Sequence, residues 1–271
     1  MKEKLKRIVE EFKKYNSGDP AKRVFGLDAD ESYEALVIAP TIMPHRFLLD
    51  ENEGWRVTVL RESMYMTGYL IEKDGAKIAW IKIGPSAGNT IDRLAICAEL
   101  KIKRLIFIGA VGALKPGFEL GDLAVPSYSI SASLADAFLT ENSIHSFTPF
   151  QRVDADERAA NEVIALAEDL GYSIKRASVF CTPSIALEYY HLNEIHAMGT
   201  DLIEMETASF YLMAELMELP AVALLVVSDN SATGAPLIGR TDEQQERFER
   251  GVRRALRDTM LAYALGKAAV E

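Results

Sequence analysis

The chain has 271 residues, of which 49% are hydrophobic and 26% are charged, and its 30 Lys and Arg against 40 Asp and Glu give a formal charge of −10. This composition excludes a disordered chain, and the excess of acid argues against binding to nucleic acid or to an anionic membrane. Two cysteines, Cys97 and Cys181, are too few for a disulfide framework, and no Cys/His spacing is typical of zinc. Without a signal-peptide core, we expect a cytoplasmic protein that holds no metal or cofactor.

The first predicted elements are a helix and a hairpin. Apolar residues at helical spacing predict an extra N-terminal helix over residues 1–17. Residues 35–40 are typical of a short buried strand. Between residues 55 and 83, two β-rich runs flank Asp74 and Gly75, which is a strong signal for a hairpin turn.

After residue 84, helices alternate with continuous apolar strands. This alternation predicts an α/β fold with a twisted, mixed, mainly parallel sheet and helices on both faces. No linker or repeat divides the sequence, so residues 1–271 are predicted to form a single domain. The predicted strands are 104–109, 121–130, 173–180 and 220–229, and the predicted helices are 89–100, 157–171, 186–197, 206–218 and a last one that starts with a capping box at Thr241.

Three segments at the ends of predicted strands are candidates for a binding site, because ligands of α/β sheets collect there. Residues 109–122 are rich in glycine, residues 202–211 (LIEMETASFY) carry two glutamates, and residues 222–230 end in Ser-Asp-Asn. Each segment alone has an ordinary interpretation as turn glycines, a helix-start acid or a loop residue. Their combination is more informative.

These segments resemble the nucleoside phosphorylase-I superfamily in order and spacing over residues 35–265. IEMETASFY is similar to its (V/Y)EMEXA segment, VVSDN to its Ser-Asp strand end, and FIGAVGALKPGFELGDLAV to its glycine-rich stretch. The superfamily includes purine nucleoside phosphorylase, uridine phosphorylase, methylthioadenosine/adenosylhomocysteine nucleosidase and AMP nucleosidase. The resemblance implies an enzyme of nucleoside metabolism, such as purine salvage, that is phosphorolytic and needs phosphate only as a co-substrate.

The resemblance also implies roles for four residues. Glu206 would bind the two ribose hydroxyls with Met205 packed on the sugar, and Glu204 would bind ribose or support Glu206 from behind. Asp229 would be the general acid that protonates N7 of a purine, because the apolar strand before it offers a desolvating wall that raises a carboxyl pKa. An Asp at this position resembles the purine-cleaving branches.

The residues that would bind phosphate, the acceptor of the sugar, depart from the family pattern. Phe107 and Ala110 occupy positions where the phosphorylases have an Arg and a Ser or Thr, and the phosphate loop is missing its usual motif. Arg61, Arg46 and Ser86 remain as phosphate-binding candidates. The alternative reaction is hydrolysis by a nucleosidase, and a second alternative is a non-catalytic nucleoside- or nucleotide-binding protein on the same fold.

Other expectations concern the base and the assembly. Phe180, Ser228 and Asn230 are predicted to contact the base, although packing is an equally ordinary role for an aromatic residue. By resemblance the protein is expected to be a homo-oligomer, either a dimer or a hexamer. The sequence does not identify the base, the sugar or the 5′ group.

Overall fold

The computed structural model describes residues 1–46, 54–63, 66–141 and 143–266, without the side chain of Arg46. Most strands belong to one large mixed sheet, whose described strands run in the order β11-β10-β8-β12-β7-β2-β5-β4-β3, with β9 on β8. The strands are β1 Ser32–Tyr33, β2 Ala35–Ala39, β3 Arg56–Glu62, β4 Thr67–Lys73, β5 Ala76–Lys82, β6 Lys101–Ile102, β7 Leu105–Ala113, β8 Leu123–Ser131, β9 Gln151–Asp154, β10 Ile174–Cys181, β11 Leu202–Glu204 and β12 Ala221–Asn230.

The middle of this sheet is parallel, since β12, β7, β2 and β5 pair in the same direction. The antiparallel strands β3 and β4 extend one side, where the predicted hairpin turns at Asp74 and Gly75 with positive φ at both residues. On the other side, β11 pairs in parallel with β10 and antiparallel with the end of β7, so that part of the sheet closes on itself. The remaining strands β1 and β6 form a small parallel sheet.

Helices cover both faces of the sheet, as the apolar strands require. Leu225 and Val227 of β12 belong to one buried cluster, whereas Leu224 and Val226 belong to the cluster on the opposite face. A strand buried on both faces is typical of a sheet with helices on each side, so the predicted fold class is confirmed. The helices are α1 Glu3–Lys14, α2 Pro20–Phe25, α3 Ala87–Ile96, α4 Leu134–Thr140, α5 Glu157–Asp169, α6 Ile185–Tyr190, α7 Leu192–Ala197, α8 Thr207–Met217, α9 Asp242–Arg250 and α10 Arg257–Ala264.

Three elements differ from their prediction. The helix expected over 186–197 is two short helices, α6 and α7, which meet at His191. The strand expected over 104–109 continues to Ala113, so the first glycines of the 109–122 segment lie within β7 rather than in a turn. The last helix starts at the predicted capping box, but a π-helical segment, Gly251–Leu256, separates α9 from α10.

None of the helices within the described ranges combines the length and the apolar composition needed to cross a bilayer.

Candidate active site

Several strand ends meet at one cleft with a volume of about 260 Å³. The segments after β2, β10 and β11 and the carboxyl-terminal parts of β7 and β12 form its walls. The acids of the described chain that line it are Glu188, Glu204, Glu206 and Asp229. The sequence-predicted residues Glu204, Met205, Glu206, Ser228 and Asp229 therefore come together, although β11 and β12 are separated by a whole helix.

Glu204 holds the start of helix α8. Its Oε2 accepts hydrogen bonds from the backbone N–H groups of Glu206 (2.7 Å) and Thr207 (2.9 Å). Its Oε1 accepts from the Thr207 hydroxyl at 2.8 Å and the Cys181 thiol at 2.9 Å. These four donors satisfy the carboxylate, so Glu204 fixes the start of helix α8 while it lines the cleft.

Glu206 is left free to face the cleft, because Glu204 caps the helix in its place. Glu206 is buried, and its Oε1 has no hydrogen-bond partner in the described structure. Burial and the nearby charge of Glu204 raise the pKa of Glu206 well above its usual value, whereas backbone N–H groups of Ser86 and Met205 act in the opposite direction. A buried carboxyl oxygen without a partner is costly, so a ligand hydroxyl that donates to it would relieve that cost.

Asp229 reaches the cleft through a β-bulge. Along the β12–β7 pairing, Val227 lies opposite Val111, but the next matched pair is Asp229 with Gly112. Ser228 is the extra residue, and such a bulge turns the following side chain to a new direction.

Gly112 makes room for this carboxyl group. A Cβ atom at position 112 would lie 2.9 Å from Asp229 Oδ2, closer than real Cβ contacts come, and 3.1 Å from Ile203 Cγ2, which is tighter than most. A glycine within a strand is typical of such a close approach.

The surroundings of Asp229 favour its protonated form. Burial raises the pKa of Asp229, and this effect exceeds the opposing effects of a 2.6 Å hydrogen bond from the Ser228 hydroxyl and the charge of Arg240. Arg240 stacks on the Phe248 ring at 4.6 Å from its centroid. A carboxyl group with a raised pKa keeps its proton to a higher pH than a free carboxyl group and can donate it.

The three phosphate-binding candidates lie in different places relative to the cleft. Ser86 caps helix α3 by accepting a hydrogen bond from the Asn89 N–H at 3.1 Å, and the adjacent Pro85 lines the cleft. Arg61 lies on β3 opposite Gly68, is exposed and does not line the cleft. Arg46 ends the short 3₁₀ helix Pro44–Arg46, and its side chain lies outside the described part of the chain.

The two positions where the phosphorylases have polar residues, 107 and 110, also differ in their surroundings. Ala110 lines the cleft, whereas Phe107 is buried in the core with its ring 5.6 Å from that of Phe210.

The three base candidates lie in different surroundings. Asn230 donates to the carbonyls of Lys115 and Phe118 and accepts from the N–H groups of Ala232 and Thr233. This uses the full capacity of its amide, so Asn230 orders the loops and does not offer the predicted base contact.

Phe180 does not line the cleft itself. It lines a neighbouring apolar pocket of about 460 Å³, where its ring lies 6.2 Å from that of Phe150. Ser228 is the base candidate that does line the cleft.

Glu188 is a cleft residue that sequence reasoning missed. It lies on α6, is only 8% exposed and lines both the cleft and the apolar pocket. Burial, followed by the charge of Asp229, raises the pKa of Glu188 to about 7. One sequence feature could have identified Glu188: it is a single acid within the apolar segment Ile185–Tyr190, which follows the end of a strand.

This shift predicts a stability effect for Glu188→Gln. As the pH rises from about 4.5 towards 7, the unfolded chain loses the Glu188 proton while the folded protein retains it, so wild-type stability falls. The glutamine variant lacks this penalty, so it should be more stable than wild type at pH 8 by up to about 3 kcal/mol, and the difference should vanish near pH 4.

Urea unfolding of both proteins across this range measures the effect. Glu194→Gln, in an exposed residue of the next helix, is the matched control and should track wild type. A Glu188→Gln advantage that is equal at all pH values would contradict the assignment.

A comparison with known families identifies the chain. The profile of the phosphorylase superfamily matches residues 44–260, which is most of the sequence. The chain belongs to the phosphorylase superfamily, whose related members include nucleoside phosphorylases and nucleosidases.

Individual relatives lie on both sides of that division. The chain is 25% identical over 155 residues to a DeoD-type purine nucleoside phosphorylase of an Exiguobacterium species, covering 57% of this chain and 62% of that protein. It is 26% identical over 163 residues to the aminodeoxyfutalosine nucleosidase of Campylobacter jejuni, covering 58% and 69% respectively. Its fold is similar to that of AMP nucleosidase from Bacteroides thetaiotaomicron, with a TM-score of 0.66, 17% identity and coverage of 97% of this chain and 99% of the other.

Proposed function

We propose that the protein cleaves the N-glycosidic bond of a purine nucleoside, with inorganic phosphate as the acceptor of the sugar. The observation that carries this proposal is the pairing of two buried acids in one cleft. Glu206 has an oxygen without a partner, and Asp229 has surroundings that favour a bound proton. Breaking a ribose–purine bond needs one group for the sugar and one for the departing base.

Glu206 would act on the sugar. The cis-2′,3′ hydroxyls of ribose can donate hydrogen bonds to its carboxylate, supplying the partner that the buried oxygen lacks. As the bond stretches, the sugar becomes an oxocarbenium-like cation, and a fixed negative charge in a buried cleft stabilises it. The same hydrogen bonds and the developing positive charge favour the ionised form of Glu206.

Asp229 would act on the base. A purine that departs as an anion is a poor leaving group, and a proton delivered to N7 makes it a neutral one. Asp229 is suited to this transfer because burial raises its pKa, so that the carboxyl keeps its proton to a higher pH than a free aspartate does. Ser228 donates to Asp229 and so can orient the carboxyl and stabilise its charge after the transfer.

The choice of phosphate is supported by the start of helix α3. Pro85 lines the cleft, and the Ser86 backbone follows it at the amino terminus of a ten-residue helix, where N–H groups and the helix dipole favour an anion. Purine nucleoside phosphorylases among the relatives agree with this choice. Arg46 and Arg61 remain proposed phosphate ligands, with Arg61 reaching the site of a neighbouring subunit.

Water is the second candidate acceptor, and the charge of the cleft favours it. Four acids of the described residues line the space, while Thr41, Gly109 and Ala110 are uncharged neighbours. Those acids that are ionised stabilise a cationic sugar and repel a phosphate dianion, although the raised pKa values of Glu188, Glu206 and Asp229 reduce the total charge. A nucleosidase among the relatives agrees with this alternative.

Release of the base with and without phosphate separates the two reactions. The substrates are inosine, guanosine, adenosine, methylthioadenosine, AMP and uridine, with the sugar product identified in each case. Phosphate-dependent release with a sugar 1-phosphate supports the proposal. Free sugar without phosphate establishes the nucleosidase reaction instead.

Gly112→Ala tests the arrangement of the site. The added methyl group would displace the Asp229 carboxyl, so kcat/KM should fall by at least about tenfold, with a stability loss of about 1–3 kcal/mol. Steady-state kinetics and urea unfolding measure the two effects. Gly117→Ala is the control, because a Cβ at that position meets nothing within 4 Å. Wild-type kcat/KM in the Gly112 variant would contradict the placement of Asp229.

The assembly also remains a prediction. Large apolar side chains are about half exposed at Phe138, Phe147 and Phe150, which favours burial against another subunit. Light scattering should therefore give a dimer or a hexamer. A monomer would contradict this expectation and remove the role proposed for Arg61.

A further inference from the structure

Glu188 occupies the wall between the cleft and the apolar pocket. Helix α6, which carries it, begins directly after the end of β10, so this acid reaches the space that Asp229 reaches from β12. Its side chain is almost fully buried, and the charge of Asp229 acts on it. A buried acid beside the proposed proton donor has no part in the reaction described above.

The chemistry of a purine suggests what an acid at this position would contact. N7 and the substituent at C6 lie on the same edge of the base, where adenine presents an N–H donor and hypoxanthine or guanine an oxygen acceptor. If Asp229 meets N7, a second acid beside Asp229 lies along the edge that carries the 6-substituent. Glu188 is the candidate for that position, because it lines the same cleft as Asp229 and is close enough for the charge of Asp229 to raise its pKa.

We propose that Glu188 is the specificity-determining residue that hydrogen-bonds the 6-substituent of the purine and selects between 6-amino and 6-oxo bases. This inference rests on the proposed purine function and deepens it. As a carboxylate, Glu188 only accepts hydrogen bonds and favours a 6-amino group. As a neutral carboxyl, it donates and favours a 6-oxo group.

The preference for the two bases should therefore depend on pH. Burial and the charge of Asp229 raise the pKa of Glu188 to about 7, so both forms exist near neutrality. Among the described residues, the other titratable groups that line the two cavities are Glu204 of β11, Glu206 just before α8, and His191 and Glu194 at α7, while Tyr189 of α6 lies close enough for Asp229 and Glu188 to affect its pKa. Titration of those groups alters the binding of both bases together, so the ratio of the two affinities isolates the group at the 6-position.

Calorimetric titration with free adenine and free hypoxanthine tests the proposal without requiring turnover. In wild type, the ratio of the two dissociation constants should change by at least about tenfold between pH 6 and pH 8, towards adenine at the higher pH. In Glu188→Gln, whose amide both donates and accepts at any pH, the ratio should change less than about twofold. Glu194→Gln lines only the apolar pocket and should behave as wild type.

A wild-type ratio that is the same at both pH values, or failure of either base to bind, would overturn the inference without reliance on any variant. A Glu188→Gln ratio that follows wild type would also overturn it. The proposed function fails separately, when no nucleoside is cleaved although the bases bind with the predicted pH dependence. Cleavage with a preference that ignores Glu188 would remove this inference alone.

Discussion

Asp229→Asn is expected to lower kcat for a purine nucleoside by roughly 100- to 10,000-fold, the usual contribution of a general acid. The amide has nearly the shape of the carboxyl group but cannot give up a proton at neutral pH. Because burial raises the pKa of Asp229, wild-type kcat should also fall as the pH rises above that pKa, and the variant should lack this dependence. Initial rates across a pH series measure both effects.

The matched control is Asp74→Asn in the exposed hairpin turn. An Asn-Gly pair suits this turn as well as Asp-Gly does, so folding and activity should be unchanged. An Asp229 variant with wild-type kcat and an unchanged pH profile would exclude Asp229 as the proton donor.

Glu206→Gln has the second large expected effect, a fall in kcat/KM of roughly 100- to 1,000-fold. The amide removes the negative charge that faces the cationic sugar, and it presents a donor where two ribose hydroxyls need an acceptor. Steady-state kinetics with the best nucleoside measure the loss. Glu215→Gln, an exposed residue on the same helix α8, should retain wild-type kinetics.

Stability distinguishes this loss from unfolding. The raised pKa of Glu206 means that the folded protein holds a proton which the unfolded chain loses as the pH rises, so ionisation of this residue lowers stability at high pH. A neutral glutamine removes that cost, and the variant should unfold at or above the wild-type denaturant midpoint at pH 8. Reduced activity together with reduced stability would point to a structural role instead.

The sequence was sufficient for those parts of the site that lie at strand ends. Apolar strands precede both Asp229 and Glu204. Such strands are buried in one sheet, so their ends were expected to lie close together. The bulge at Ser228 and the space left by Gly112 are properties of the β7–β12 pairing. Neither feature has a local sequence signal, because the sequence alone does not show whether a glycine lies in a loop or within a strand.

The sequence also did not show which of the two glutamates supports the helix start and which one has an oxygen free for a ligand. Glu204 and Glu206 are two residues apart and both precede α8, so helix-start electrostatics fits either one. The structure separates them through their donors: Glu204 receives four hydrogen bonds, whereas Glu206 retains an oxygen without a partner.

Glu188 and Asn230 show what tertiary contacts add. Glu188 is a single acid in an apolar helix, and its relation to Asp229 arises only in the folded protein, where both residues line one cleft. Asn230 follows Asp229 directly, which suggested a base contact, yet its amide is fully used by the loops around Lys115 and Thr233. Adjacency to Asp229 in sequence placed Ser228 in the cleft lining but not Asn230.

The most direct test of the central claim is chromatography of the free base released from purine nucleosides by wild type and by Asp229→Asn, with phosphate present. We predict that wild type releases the base from at least one purine nucleoside and leaves uridine intact, while the variant releases it at least about 100-fold more slowly. No release from any purine nucleoside over hours, together with calorimetric evidence of nucleoside binding, would contradict the account and identify a binding protein on this fold.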